Sequence, residues 1–448
     1  GCVLVAEKSN IIYKKGFGKA NFEWNIPNTT DTKFEIASIS KHITAIIILQ
    51  LVEEGKLKLE GKITDYYPGY PKEDGDHITL QQLLLHTSGL TDSRFIEGFE
   101  EKEGMMAKAH EEHIKSFWNL PLLSEPGAKW SYSNFGYHLL AFIAETVTGK
   151  SFHQLLKERI FDKAGMKNST TLEDPFIIPK FAPGYTIRLS EIQRGLYHDP
   201  SFTFGNGSVV TTVEDYFLFW KALIDGRLLS PKYNEMILSP KTMSDQGEVV
   251  GFSLYFDKMF TGGKDSTTIL RCAGSHYGVH TLAYNFKEAG KLVVIFLNTK
   301  NSLINVGSPI MFEIADNITR ILYDLPYQQP KDSYARIFYQ DELKYGSDYA
   351  MQRFHILKKS NLCREHFAYF NRLGYFYLDH KKNEAAVEVF KLNVQTYPSN
   401  GDTYDSLGEG YMVSGNKKLA IENYKKSVSL DSTNVNARSM LKTLEAND

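Results

Sequence analysis

Between residues 42 and 52 the chain carries Ile43, Ile46, Ile47, Leu49, Leu51 and Val52 and has almost no polar face. At about 100° per residue these positions cover most of a helix circumference, and a helix apolar on nearly all sides is stable only inside a protein. Gly55, just after Glu53-Glu54, supplies the tolerance of positive φ that a helix C-terminus favours. The rest of the chain must therefore wrap this helix. With 448 residues, 42% of them hydrophobic, it has the material for a full core and for two or three domains.

Ile36-Ala37-Ser38-Ile39-Ser40-Lys41 stands at the entrance to that helix. Residues three apart are neighbours on a helix, so Lys41 lies beside Ser38, and burial disfavours its ammonium and makes the amine a usable base. A serine hydroxyl needs such a base to act as a nucleophile. The first helical turn also leaves backbone N–H groups free to hold an oxyanion. Spacing alone is weak, because it recurs at Ser414/Lys417 and Ser439/Lys442 in a polar helical region. Partners elsewhere have to decide.

Residues 2–6 and 11–13 read as a β-hairpin. Residues 79–90 form a short amphipathic helix closed by a Thr-Ser-Gly turn, with His86 a locally bonded histidine at its end. Trp130-Ser131-Tyr132-Ser133-Asn134-Phe135-Gly136 leads into a helix over 137–148 that stops at Gly149. Tyr132 and Asn134, two apart, point the same way from an extended segment. A tyrosine near a lysine can pass protons, and an asparagine amide can hold a substrate amide. Gly205-Asn206-Gly207-Ser208 lacks the spacing of a phosphate loop and marks close backbone packing before a helix over 213–224. Residues 267–272, 281–285 and 291–298 are strands of an antiparallel sheet, with Gly274-Ser275-His276-Tyr277-Gly278 between the first two, and a helix over 310–323 closes the region.

A net charge of −2 gives no electrostatic case for nucleic acid or an anionic membrane surface. No apolar run approaches the roughly 20 residues of a transmembrane helix. Cys2, Cys272 and Cys363 are too scattered for a disulfide framework or zinc site and read as packing residues; no metal or cofactor is expected. Gly1-Cys2 mimics the end of a lipoprotein signal, but residues 2–6 already read as a core strand, and further residues are expected ahead of Gly1.

Beyond a Pro/Gln-containing linker at 324–330 an internal repeat emerges. Leu373, Gly374, Tyr377, Ala386, Phe390 and Asn400 recur as Leu407, Gly408, Tyr411, Ala420, Tyr424 and Asn434, each 34 residues on (407 − 373 = 34). That is the tetratricopeptide period, with small residues where two helices touch. Two repeats are few for such an array, so helices within 333–359 are expected to cap them. The domains read as 1–325 catalytic, 326–365 linker and capping helices, and 366–448 repeat.

Ser38-Ile39-Ser40-Lys41, Tyr132-Ser133-Asn134 and His276-Tyr277-Gly278, in that order, resemble the three motifs of the serine β-lactamase and penicillin-binding protein family. The Tyr-x-Asn form is similar to the class C β-lactamase, D,D-carboxypeptidase and esterase branch. The resemblance covers residues 2–323 and implies an α+β fold, an antiparallel sheet flanked by helices with an all-helical subdomain, ahead of the all-α repeat domain. It implies that Ser38 forms an acyl-enzyme, that Lys41 and Tyr132 share the proton transfers, and that Asn134 orients the substrate amide. By the same resemblance His276 and Gly278 form the third motif, and the backbone N–H groups of Ser38 and Val279 hold the oxyanion. His276 stands where most β-lactamases carry a lysine, which weakens the case for β-lactam hydrolysis, and His280 is a candidate substrate contact. Export to a periplasmic or extracytoplasmic location is a family implication.

The expected function is hydrolysis of a small amide or ester: a D-amino-acid peptide, an ester or a β-lactam. The alternative is a catalytically weak penicillin-binding or sensing module that recruits a protein partner through its repeats.

Overall fold

The computed structural model describes every residue except 174, 190, 263–264, 302–309, 361–362, 364–365 and 446–448. The chain divides into two compact units: Gly1–Thr186 with Arg194–Lys300 and Ile314–Tyr327, and the described residues of Ile187–Gln193, Asn301–Glu313 and Gln328–Asp448.

The first unit is built on an antiparallel sheet of eight strands, β1 (Cys2–Glu7), β2 (Asn10–Gly16), β3 (Thr242–Met243), β4 (Val249–Val250), β5 (Tyr255–Gly262), β6 (Asp265–His276), β7 (Val279–Phe286) and β8 (Lys291–Leu297). Their order is β3-β4-β5-β6-β7-β8-β1-β2, so the N-terminal hairpin completes a sheet begun late in the chain, with Cys2 opposite Phe296. All of β7 and most of β8 are buried, as befits strands covered on both faces.

Helix α1 (Ser40–Glu53) is buried at every residue from Ser40 to Leu51, and Gly55 follows it at φ +72°. Two of its polar side chains bond across to other segments: Thr44 Oγ1 donates to the Gly205 carbonyl at 2.6 Å and Gln50 Nε2 to that of Leu228 at 2.8 Å. Burial holds the His42 imidazole down at about 4, so this core histidine is neutral. Truncating Ile43, Ile46 or Ile47 to alanine is expected to remove about 2–5 kcal/mol each, a large part of the stability of a domain. Helix α2 (Asn134–Thr148) is capped by Ser133, whose Oγ accepts from Gly136 N at 3.0 Å, and stops at Gly149 in the left-handed region. Helix α3 (Val213–Ile224) has the expected bounds.

Two elements depart from the sequence reading. The helix expected over 79–90 is only Leu80–Leu84; Thr79 caps it, and His86, at φ +59°, turns the chain away. Strand β6 does not stop at Cys272 but continues through Gly274, Ser275 and His276, so the linking turn is just Tyr277 and Gly278, with Gly278 at φ +79°.

The second unit is helical, with helices at Tyr334–Tyr345, Ser347–Ser360, Phe367–Asp379, Asn383–Thr396, Gly401–Val413, Lys417–Leu430 and Val435–Glu445. A Cβ built on Gly374 would meet the Phe390 ring at 2.2 Å, and one on Gly408 the Tyr424 ring at 2.9 Å. The same close approach thus recurs 34 residues on (408 − 374). Cys2, Cys272 and Cys363 are buried and free. Among the described residues no helix is long and apolar enough to cross a membrane.

Candidate active site

Ser38 lies in the 3-10 turn Ala37–Ile39 that precedes α1, and the side chains of Tyr132 and Lys41 meet at its hydroxyl. Tyr132 donates its phenol hydrogen to Ser38 Oγ at 2.8 Å, and Lys41 Nζ lies 3.2 Å from the same oxygen. Lys41 is 1% exposed and also donates to the Asn206 carbonyl at 2.8 Å. Burial brings its ammonium down from 10.5 to about 7, with Asp92 opposing the shift and Arg94 adding to it. Tyr132 is moved the other way: burial pushes its phenol well above 10. Near neutral pH the lysine is therefore the group with a free base form available, and the tyrosine keeps its proton.

A lattice built on the buried Asp92 and His86, with the exposed Arg94, holds Tyr132 and Asn134. Asp92 is 0% exposed and accepts from Asn134 N at 2.5 Å and Phe135 N at 3.1 Å, a carboxylate at the positive end of the α2 dipole. Arg94 Nε donates to Asp92 at 3.0 Å, its NH2 group donates to the Tyr132 carbonyl, and its guanidinium sits 4.9 Å from the Tyr132 ring centroid. His86 stacks on Tyr132 with ring centroids 4.5 Å apart. Its Nδ1 accepts from Ser133 N at 3.0 Å, and burial keeps the ring neutral. Three non-glycine residues at positive φ surround Ser38: Ala37 just before it, His86, and Ser253, which lines a small cavity with Ser38, Lys41 and Tyr132.

A cleft of about 320 Å³ opens over Ser38, within the range of small-molecule sites. Ser38, Tyr132, Asn134 and His276 all line it. Gly278, Val279 and His280 are not among its lining residues, and the register of β6 explains why. A Cβ on Gly274 would stand 2.3 Å from the Ile36 carbonyl and 3.0 Å from Ser38 N, so Gly274 is the strand residue pressed against Ser38. Thr281, opposite Gly274, donates from Oγ1 to the Ile36 carbonyl at 2.9 Å. A Cβ on Gly278 would instead meet the backbone of Gly184 and Tyr185, and Val279 is paired with His276 across the turn. The expected pairing of Ser38 with Val279 is thereby corrected: β6 runs past Ser38 two pleats earlier, and the residue after the apposed glycine is Ser275. His280 is 5% exposed, 3.4 Å from Ser275 Oγ, and lowered to about 4 by burial.

Sequence reasoning missed Asp92, Arg94, the Asn206 carbonyl and the Gly274–Ser275 segment. Only the last had a signal, a glycine in a strand, which marks close backbone approach.

Comparison with known proteins agrees with this architecture. The family model described as Beta-lactamase matches residues 1–306. A Bacillus subtilis (strain 168) protein provisionally named penicillin-binding protein PbpX is 33% identical over 306 residues, 67% of this chain and 71% of its own length. The teichoic acid D-alanine hydrolase of Staphylococcus aureus (strain MRSA252) is 26% identical over 303 residues, 67% of this chain and 71% of its own. Among solved structures, the D-amino acid amidase of Ochrobactrum anthropi SV3, crystallised with L-phenylalanine, superposes with a TM-score of 0.60 at 25% identity, over 72% of this chain and 91% of the amidase.

Proposed function

The chain belongs to the beta-lactamase family, and from that premise we propose that it is a serine hydrolase that cleaves D-aminoacyl esters or amides through an acyl-enzyme on Ser38. The observation carrying this reading is the convergence of Tyr132 Oη and Lys41 Nζ on Ser38 Oγ, with the Lys41 ammonium lowered to about 7. Two of the three proteins compared are named for acting on D-amino-acid derivatives.

In acylation the neutral Lys41 amine takes the Ser38 proton as Oγ attacks the carbonyl carbon. The tetrahedral oxyanion is held by the N–H groups of Ser38 and Ser275. Tyr132, with Lys41 behind it, passes the proton to the leaving alcohol or amine, and Asn134 orients the substrate carbonyl or amide. In deacylation water attacks the ester carbon, its proton passes to the Lys41–Tyr132 pair, and Ser38 Oγ leaves and regains a proton. The segment of β6 facing Ser38, Cys272-Ala273-Gly274-Ser275, carries no cation, and the cationic side chains lining the cleft are those of Arg94 and Lys300.

We read Phe367–Leu430 as two tetratricopeptide-type repeats that bind a protein partner, and we assign the protein an extracytoplasmic location by analogy with its penicillin-binding relatives. Intact-mass spectrometry after incubation with a fluorophosphonate and, separately, with a fluorescent penicillin tests the catalytic reading. We expect one fluorophosphonate adduct, absent in Ser38→Ala; a protein that labels with neither probe would overturn it.

A further inference from the structure

The cleft holds a carboxylate for which the mechanism has no use. Glu35 lies three residues before Ser38 and lines the same cavity. Its side chain is 10% exposed, and its Oε1 is buried without a hydrogen-bond donor. His276 Nδ1 is 3.1 Å from that oxygen but is not aligned to donate to it. A carboxylate withdrawn from water needs a cation or donors, and with Oε1 buried it is the part of the carboxyl lining the cleft that can take them from an incoming group. Of the cations lining the cleft, Arg94 turns its guanidinium to Asp92 and the Tyr132 carbonyl, and neither it nor Lys300 hydrogen-bonds Glu35 Oε1. Three residues of chain place Glu35 Cα within about 10 Å of Ser38 Cα, and an α-ammonium is only two bonds from the carbonyl carbon that Ser38 attacks.

We propose that Glu35 is the subsite for the free α-ammonium of the substrate, so that the protein acts on unblocked aminoacyl esters and amides and rejects N-acylated ones. This rests on the reading of Ser38 as the acylated residue. Glu35 presents an acidic side chain to the cleft over Ser38, and His276 stands 3.1 Å from its Oε1 without a hydrogen bond between them.

The experiment compares kcat/KM for D-alanine p-nitroanilide and N-acetyl-D-alanine p-nitroanilide with the full chain. The wild type is expected to prefer the free amine by 30-fold or more, and Glu35→Gln to bring that ratio below about 3, chiefly by raising KM for the free amine. A wild-type ratio near one, or an undiminished ratio in Glu35→Gln, overturns the subsite. If Glu35→Gln does not fold, protection of wild-type Ser38 from fluorophosphonate serves instead. D-alaninamide should protect at concentrations at least 10-fold below D-lactamide, which replaces the ammonium by a hydroxyl; equal protection overturns the subsite. Absence of fluorophosphonate labelling in the wild type overturns the acyl-enzyme reading itself, and so separates the two failures.

Discussion

The imidazole of His86 lies against the ring of Tyr132 with 4.5 Å between centroids and 27° between planes, while its Nδ1 accepts the backbone hydrogen of Ser133. His86 thus fixes the tyrosine from the side and from beneath. Asparagine tolerates the left-handed backbone that His86 adopts but cannot stack. His86→Asn is expected to lower kcat about 10- to 100-fold while Ser38 still labels slowly with fluorophosphonate; labelling kinetics beside steady-state rates check this.

Lys41 sets the pH dependence. With its ammonium lowered to about 7, the rate of fluorophosphonate acylation is expected to rise through pH 7 and level off above pH 8. Stability follows the same group. Below about pH 7 the lysine is protonated in both folded and unfolded chains and the burial penalty is fully present. Between about 7 and 10.5 the unfolded chain binds the extra proton, so this group's contribution to stability improves as pH rises. Lys41→Met should therefore raise the melting temperature more at pH 6 than at pH 9 and abolish acylation, as differential scanning fluorimetry and labelling will report.

Gly274 distinguishes the two candidate glycines of the third segment. A methyl group there meets the Ile36 carbonyl and the Ser38 amide, so Gly274→Ala is expected to cut acylation at least 100-fold. Overpacking of this kind destabilises by about 1–3 kcal/mol, leaving a folded protein by circular dichroism. Unchanged labelling of Gly274→Ala would sink the apposition of Gly274 and Ser38.

Asp92 joins electrostatics to folding. Replacing its buried carboxylate by alanine leaves the first N–H groups of α2 without their acceptor and Arg94 without its partner. The loss is expected to be about 2–4 kcal/mol, measured by urea denaturation, together with a fall in kcat, because Tyr132 and Asn134 flank the same turn.

Much of this architecture is legible in the order of residues alone. The all-round apolar run requires a buried helix, and Lys41 inside it is the lysine with the lowered ammonium. Tyr132 and Asn134 both line one cleft, although Asn134 is the first residue of α2 and not part of an extended segment. What escapes a sequence reading depends on contacts between distant segments. His86 meets Ser133 across 47 residues and Asp92 meets Asn134 across 42, and no local pattern encodes either bond. The third segment misleads for a sharper reason: glycines at 274 and 278 both read as turn residues, and only packing against Ser38 decides which one sits in the strand. His276 nevertheless faces the cleft, opposite Glu35.

Ala37, His86 and Ser253 hold backbone conformations that L-residues populate reluctantly, at an expense of order 1–3 kcal/mol each. A laboratory evolution campaign that selected this protein for heat resistance alone would find Ala37→Gly and Ser253→Gly among its easiest gains. It would also lose the rigid frame about Ser38, because glycine relaxes the very geometry that the strained residues enforce. The heat-hardened descendants of such a campaign should accumulate slow catalysts, with the damage written at Ala37 and Ser253 rather than at Ser38, Lys41 or Tyr132.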